Sequence, residues 1–356
     1  MNAIEFGIIG AGWRTEFYLR IARALPDRFR VTGVVVRNSG RREPFARAWG
    51  VRACADSDEL MKTSPSFVAT SVSWASNPAL LQELSERGTP VLSETPPAPD
   101  VQQLREVNEL AKRGARIQVA EQYWAQPYHQ ACSALIEKGL LGRPTHAQIS
   151  VAHGYHGISL IRRFLGVGFE PPRISGKRFT APIVAGPGRQ GPPAREQITD
   201  SEQDVFFLDW GDRLGMLDFT SDQYFGWIRN RRLLIRGERG EIVNDTVHYL
   251  KDFRTPVAVD LRRDTTGANG NLEGFYLRGI QTGGEWAYSN PFAPAPLSDD
   301  EIAIATCLEK MDEYVRTGAA FYSLAEACQD HYLNLLCQQA LRQGREIQVE
   351  PQEWAD

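Results

Sequence analysis

The chain is sparing with the side chains that staple a fold or bind metals. It has five cysteines, six histidines and four methionines in 356 residues. The cysteines (Cys54, Cys132, Cys307, Cys328 and Cys337) are odd in number, scattered and never paired as C-x-x-C. That excludes a disulfide framework and a zinc ribbon, and reads as free thiols in a reducing cytoplasm. A charge bias is also missing: 40 Lys and Arg against 44 Asp and Glu leave a net charge of −4 without a basic block. Nucleic acid therefore has no electrostatic footprint to follow. No apolar stretch approaches the roughly 18 residues that a membrane-spanning helix needs. The N-terminus shows no charged leader, and its apolar run reads as a first strand. The expectation is a cytoplasmic protein with a small-molecule ligand and neither a nucleic-acid nor a membrane partner.

What is present begins at residues 4–15, IEFGIIGAGWRT. A short apolar strand runs into Gly10-Ala11-Gly12, and residues 13–25 read as a helix. A strand, a glycine turn and a helix start make a cradle for a dinucleotide pyrophosphate. Glycine permits the tight turn and close backbone approach, and the helix N-terminus presents free N–H groups to the negative charge. The third glycine of G-x-G-x-x-G is replaced by Thr15, but the strand-before, helix-after context supports the motif.

Strand and helix then alternate about every 20–25 residues up to Glu121, which implies a parallel, doubly wound sheet. The second strand ends Val36-Arg37-Asn38 with Arg41 and Arg42 beyond, where an acid would grip the adenosine ribose of NAD. A missing carboxylate and added guanidinium groups favour NADP over NAD. Ligands of open α/β sheets sit at the carboxyl ends of the strands. The expected cofactor contacts are therefore Gly10, Gly12, Trp13, Arg14 and Arg37. Later strand ends add Ser73, Trp74, Asn77, Glu94 and Thr95.

After Glu121 the rhythm changes. Residues 127–138 read as one amphipathic helix, and from Pro144 long alternating strands imply an open, mostly antiparallel sheet. The clearest strands are 145–151, 173–180, 203–210, 214–220, 225–228 and 232–236. Residues 181–200 and 264–297, rich in Pro and Gly, read as irregular. Residues 298–317 and 324–343 read as two helices. The division expected is a dinucleotide-binding domain over 1–122 and an α+β domain over 123–356.

In this order and spacing the chain resembles the glucose–fructose oxidoreductase / inositol dehydrogenase / MocA family. The pieces are GIIGAG at 7–12, SETP at 93–96, IEKGLLGR at 136–143, the segment 156–166, RRLLIRGERGEIVN at 231–244 and YVRTG at 314–318. The resemblance implies a Rossmann domain and a second domain whose open sheet mediates a homodimer or homotetramer. It further implies a cleft that holds nicotinamide and a sugar, polyol or related carbonyl. The chain departs from the family where Glu-Lys-Pro becomes Glu94-Thr95-Pro96, so the lysine is absent. It departs again where the aspartate four residues before the active-site histidine, matched here by His156, becomes Ala152.

Histidine titrates near neutrality and suits proton exchange with a hydroxyl or carbonyl. His156 is therefore the expected general acid/base, with His153 or Tyr155 assisting, and Tyr123 at the last Rossmann strand could donate a proton or line the site. No metal site is expected. The leading expectation is an oxidoreductase that passes hydride between nicotinamide and a carbohydrate-like alcohol or ketone. Two alternatives stay open: an enzyme that recycles bound cofactor during elimination or epimerisation, and a silent dinucleotide-binding regulator.

Overall fold

The computed structural model describes residues 3–268, 271 and 274–355. Two compact units divide the chain. The first holds Met1–Pro127, Arg263–Gly279 and Ser289–Gln329; the second holds Tyr128–Arg262, Ile280–Tyr288 and Asp330–Asp356. A single boundary at 122/123 misses the two late returns of the chain to the first unit.

Six strands form the first unit's sheet: β1 (Ile4–Ile9), β2 (Phe29–Val35), β3 (Ala53–Cys54), β4 (Phe67–Thr70), β5 (Val91–Ser93) and β6 (Ile117–Val119). All pairs are parallel, in the order β3-β2-β1-β4-β5-β6. Every residue of β4, β5 and β6 is buried, as expected of strands covered on both faces. Helices α1 (Trp13–Ala24), α2 (Ser39–Trp49), α3 (Ser57–Met61), α4 (Asn77–Glu86) and α5 (Val101–Lys112) connect them. Asn38, Asp56 and Asp100 cap α2, α3 and α5 by accepting N–H bonds from the first turn.

The late helix Asp299–Thr317 opens on a capping box between Ser298 and Glu301. Glu301 also accepts from Arg20 Nε at 2.6 Å, which clamps this helix to α1. Beyond it, the Phe321 and Tyr322 N–H groups both donate to the Gln118 side chain at 2.9 Å, docking that segment on the β6 edge.

The second unit is built on a nine-stranded sheet. Its strands are β7 (Pro144–Ser150), β8 (Arg173–Val184), β9 (Ile198–Asp209), β10 (Leu214–Phe219), β11 (Arg232–Gly237), β12 (Gly240–Val243), β13 (Thr246–Leu250), β14 (Pro256–Asp260) and the short Ile347–Gln348. Their order is β14-β13-β12-β11-β7-β10-β9-β8, then Ile347–Gln348, and β7 with β10 is a parallel pair among antiparallel ones. Ala147, Ile149, Leu208, Leu217, Leu233, Ile235 and Ile242 alternate onto the buried face. Helices α6 (Pro127–Glu137) and α7 (Gly154–Leu165) follow the first unit in sequence. Two glycines let α7 approach this sheet. A Cβ on Gly157 would lie 2.3 Å from Leu217 Cδ1, and one on Gly215 would lie 2.5 Å from Ile161 Cγ2.

Three sequence expectations are corrected. Residues 181–184 and 198–200 are not loop: they extend the β8–β9 hairpin, pairing Ala181 with Ser201 and Val184 with Ile198. Pro182 is tolerated there because that end of β8 is a sheet edge, where a missing N–H costs little. Residues 225–228 are not a strand. A 3-10 turn, Ser221–Tyr224, precedes them, and Gln223 donates to the Asn230 carbonyl at 2.9 Å, folding the chain back. Within 264–297, the strands Arg262–Thr266, Tyr276–Thr282 and Glu285–Ser289 form a three-stranded sheet. Their polar side chains and flanking glycines hid the period.

Arg162 of α7 and Asp330 of the final helix, Leu324–Gln343, form a buried ion pair at 2.6 Å, with side chains 3% and 4% exposed. Arg162 also donates twice to the Gly168 carbonyl. Removing one charge strands the other, so Asp330→Asn is expected to cost about 3–5 kcal/mol, read by denaturant unfolding. All five cysteines are buried, and burial pushes the Cys132 thiol up to about 12. Iodoacetamide at neutral pH is expected to leave the native thiols unmodified and to label all of them after unfolding, as mass spectrometry reads.

Candidate active site

In the first unit the glycine turn is fixed by sterics. Gly10 has φ +120°, and a Cβ there would lie 2.0 Å from the Ser71 carbonyl oxygen. Only glycine can stand at this crossing of β1 and β4. Gly12 opens α1 as its N-cap, and a Cβ there would meet nothing within 4 Å. The helix thus starts with a residue that cannot cap it by a side chain, under open space. That is what a dinucleotide pyrophosphate needs, and the residues present fit one.

Thr15, in the place of the third glycine, is fully buried. Its hydroxyl lies 2.9 Å from the Gly10 carbonyl and 3.0 Å from the Ser71 hydroxyl. It is hydrogen-bonded to both, pinning the turn that glycine would only allow.

At the end of β2, Asn38 caps α2 and Arg37 is exposed. Arg42 reaches back to donate to the Val36 carbonyl at 2.8 Å and the Arg37 carbonyl at 3.2 Å. The edge where an NAD-type acid would stand therefore carries guanidinium groups.

Beyond β4, Ser73 bonds Ser76 at 3.0 Å and Trp74 is 53% exposed. Asn77 differs from its expectation as a ligand contact. It is fully buried, accepts from the Thr70 hydroxyl, and donates to Ser93 at 2.9 Å and to the Pro97 carbonyl at 3.1 Å. Its side chain ties β4, β5 and the loop after β5 together, beneath the ligand edge.

Glu94 follows β5. Its Oε1 accepts the Thr95 N–H at 3.0 Å, and Arg14 Nε lies 3.8 Å from Oε2. Arg14 stacks over Trp13 at 4.8 Å. It also donates to Gln122 at 3.2 Å when that amide is oriented to satisfy both its neighbours. Burial, then the Glu94 charge, push the Tyr18 phenol up, so Tyr18 stays neutral behind this cluster. Tyr123 starts the 3-10 turn Tyr123–Ala125, and its N–H donates to the buried Glu121 carboxylate at 3.0 Å.

In the second unit, His153 is the N-cap residue of α7 and is exposed, whereas His156 one turn on is 3% exposed. Their rings meet edge to face at 5.0 Å. Tyr155 lies 4.3 Å from His156 and 5.6 Å from His331. His153 Nδ1 is hydrogen-bonded to the Tyr224 hydroxyl, and the His153 N–H reaches the same oxygen at 3.3 Å. Ala152 is fully buried.

The structure thus groups Gly10, Gly12, Trp13, Arg14, Glu94 and Thr95 about the strand ends of one unit, and His153 and His156 about the start of α7 in the other. Sequence reasoning gave no site role to Gln122 or Tyr224. Only Tyr224 carried a readable signal, as a polar aromatic beside the Phe-Gly-Trp run. Among the described residues no group of three His, Cys, Asp or Glu side chains could hold a metal ion, and no helix is long and apolar enough to cross a membrane.

No curated protein sequence matches the chain. Solved structures do, at low identity. An oxidoreductase from Agrobacterium radiobacter, in complex with NAD+, L-tartaric acid and magnesium, superposes with TM-score 0.70 at 14% identity, covering 98% of each chain. A myo-inositol dehydrogenase from Corynebacterium glutamicum gives TM-score 0.66 at 16% identity over 98% of this chain and 100% of that one. The WlbA dehydrogenase from Bordetella pertussis, in complex with NADH and UDP-GlcNAcA, gives TM-score 0.63 at 18% identity over 99% and 100%. At these identities the likeness establishes the fold. Residues 4–122 match the oxidoreductase family with the NAD-binding Rossmann fold named for glucose–fructose oxidoreductase, inositol dehydrogenase and MocA. With the glycine cradle and the strand order, that match identifies residues 4–122 as a Rossmann domain similar to the NAD-binding domain of the Gfo/Idh/MocA oxidoreductases.

Proposed function

We propose that the chain prefers NADP(H) and moves hydride between nicotinamide and a carbohydrate-like alcohol or ketone, with the α7 histidines moving the proton. One observation carries the reading: the first unit keeps a pyrophosphate cradle, and the second unit carries an exposed imidazole, His153, held by hydrogen bonds at the start of α7. When bound, the dinucleotide supplies or accepts the hydride. The chain must supply the proton and the field. Thr95 cannot act as a cationic acid, and Arg14 is a permanent cation that can stabilise an alkoxide but cannot give up a proton at neutral pH. That leaves imidazole for acid/base work, and exposure favours His153 over the buried His156 for direct exchange, with His156 supporting it.

The preference for NADP rests on the end of β2, where Arg37 and Arg42 stand in place of an acid. The open face of the nine-stranded sheet is proposed as the oligomer face. There the register sets Phe207, Met216, Gln148, Leu234 and Val243 in one row, and Phe207 and Val243 are 40% and 38% exposed.

Titration with NADPH and NADH, read by nicotinamide fluorescence, tests the cofactor reading. NADPH is expected to bind at least about tenfold tighter, and Arg37→Ala to erase about 1.4 kcal/mol of that margin. Equal affinities would overturn the preference, and no binding of either would overturn the enzyme reading. On a panel of polyols and keto-sugars, His153→Ala is expected to lower kcat by roughly 10²–10⁴-fold, the usual worth of general acid–base catalysis. Full activity in that variant would remove His153 from the chemistry.

A further inference from the structure

One acidic side chain of the second unit lacks the kind of partner that its neighbours have. Around the β8–β9 hairpin, Asp204 holds Arg178 at 2.7 Å and Asp218 holds Arg232 at 2.7 Å. Asp222, in the turn Ser221–Tyr224, has no Lys, Arg or His within ion-pair distance among the described residues. Its Oδ2 accepts from the Ser201 hydroxyl and, at 3.1 Å, from the Thr220 hydroxyl. Its Oδ1 accepts no hydrogen bond among the described residues. Asp222 is half-buried, so water shields its charge only in part, and an opposite charge at Oδ1 would stabilise it.

Asp222 lines a groove of about 280 Å³ together with Thr199, Val184, Pro187, Trp227 and Ile228. That is close to the ~300 Å³ at which small-molecule pockets begin, and suits one side-chain-sized guest. The frame around the groove is fixed. Thr220 and Gln223 form a capping box, and the buried Gln223 donates to the Ser150 carbonyl at 3.0 Å and to the Asn230 carbonyl at 2.9 Å. The Gly226 N–H donates to the Asp222 carbonyl at 2.7 Å. Thr199 is held in the hairpin by its pairing with Ile183, and the Ser201–Asp222 bond ties hairpin to turn. On this frame the Trp227 side chain is 74% exposed, and Ile228 and Val184 are exposed beside the same groove. A fixed, contiguous apolar lining with a charge in it is the makeup of a binding surface.

We propose that this groove binds a guanidinium group carried on a short aliphatic stem, as a free small molecule. Each part of the lining answers a part of that ligand. The Asp222 charge answers the cation. Oδ1 of Asp222 and the Thr199 hydroxyl, which has no hydrogen bond among the described residues, accept two of its N–H groups. The Trp227 indole is the best aromatic face for a cation. A guanidinium is planar and more weakly hydrated than an ammonium, so it stacks on an indole and gives up its water at lower cost. Val184, Pro187 and Ile228 suit the methylene stem, as apolar surface does for the stems of arginine and lysine. A neutral sugar would use the indole and the hydroxyl but leave the carboxylate without its counter-charge. A purely apolar guest would desolvate that carboxylate with nothing in return. The proposal does not depend on the oxidoreductase reading, and its test uses neither cofactor nor sugar turnover.

The full chain is labelled with 5-fluorotryptophan, and the Trp227 signal, one of eight, is assigned by its loss in Trp227→Phe. Four probes are titrated while that signal is followed by 19F NMR: n-butylguanidinium, n-butylammonium, n-butanol and methyl glucoside. n-Butylguanidinium is expected to shift the Trp227 signal saturably and to bind at least about tenfold tighter than n-butanol or methyl glucoside, with n-butylammonium between them. Asp222→Asn keeps an oxygen for Ser201 and Thr220 while removing the charge, and is expected to weaken n-butylguanidinium at least about tenfold. No saturable shift, or any of the other three probes binding as tightly as n-butylguanidinium, would overturn the proposal. So would unchanged affinity in a folded Asp222→Asn protein. A Trp227 shift that appears on concentrating the protein alone would also overturn it, and would assign the groove to another polypeptide. The order of the four probes on the wild-type chain decides even where Asp222→Asn does not fold.

Discussion

The steric crossing at Gly10 governs the first unit. A Cβ there would fall 2.0 Å from the Ser71 carbonyl, so β1 and β4 can end side by side only if this residue has no side chain. From that crossing the chain turns directly into α1, and the helix N-terminus is aimed at the strand ends. Thr15 then fastens the turn from inside, with bonds of 2.9 Å and 3.0 Å to Gly10 and Ser71. The same geometry delivers Trp13 and Arg14, the first two residues of the helix, to the ligand edge. A buried threonine bonded to the turn replaces the close packing that a third glycine provides in the usual motif.

Charge at that edge is arranged rather than accumulated. Arg14 is shared among Glu94, Gln122 and the face of Trp13, so its guanidinium is oriented and partly neutralised. Such a group offers a fixed cation with a direction, which suits an oxyanion or a phosphate. It offers no titratable proton. Thr95, next to it, adds a hydroxyl and a backbone N–H that are both drawn to Glu94.

Much of this was legible in the residues. The glycine turn, the parallel sheet and the helix Leu324–Gln343 follow from spacing, because backbone constraint and hydrophobic period leave a direct trace in sequence. The missing lysine and aspartate were equally plain at Thr95 and Ala152. What escaped was set by tertiary pairing. Pro182 lies in a strand because it falls on an open edge, and residues 225–228 leave the sheet because Gln223 reaches Asn230. Asn77 looked like a ligand contact because Asn-Pro opens a helix at a strand end. Only the fold shows that its amide is consumed by Thr70, Ser93 and Pro97. Tyr224 lies 71 residues from His153, and no local pattern joins them.

The buried polar groups share one logic. Asn77, Gln223 and the Arg162–Asp330 pair each sit where an apolar residue would pack at lower desolvation cost. Each holds a segment that leads to the ligand edge or to the histidines. Asn77 sets the loop after β5 that carries Glu94 and Thr95. Gln223 sets the turn that carries Tyr224. Arg162, from the last turn of α7, ties the helix that begins at His153 and His156 to the helix Leu324–Gln343 and to Gly168. Apolar packing alone would tolerate small slides of these segments, since dispersion is nondirectional. A satisfied hydrogen-bond hub does not slide without leaving a buried group unpaired. These three polar hubs thus fix the positions of the segments that carry Glu94, Tyr224 and the start of α7.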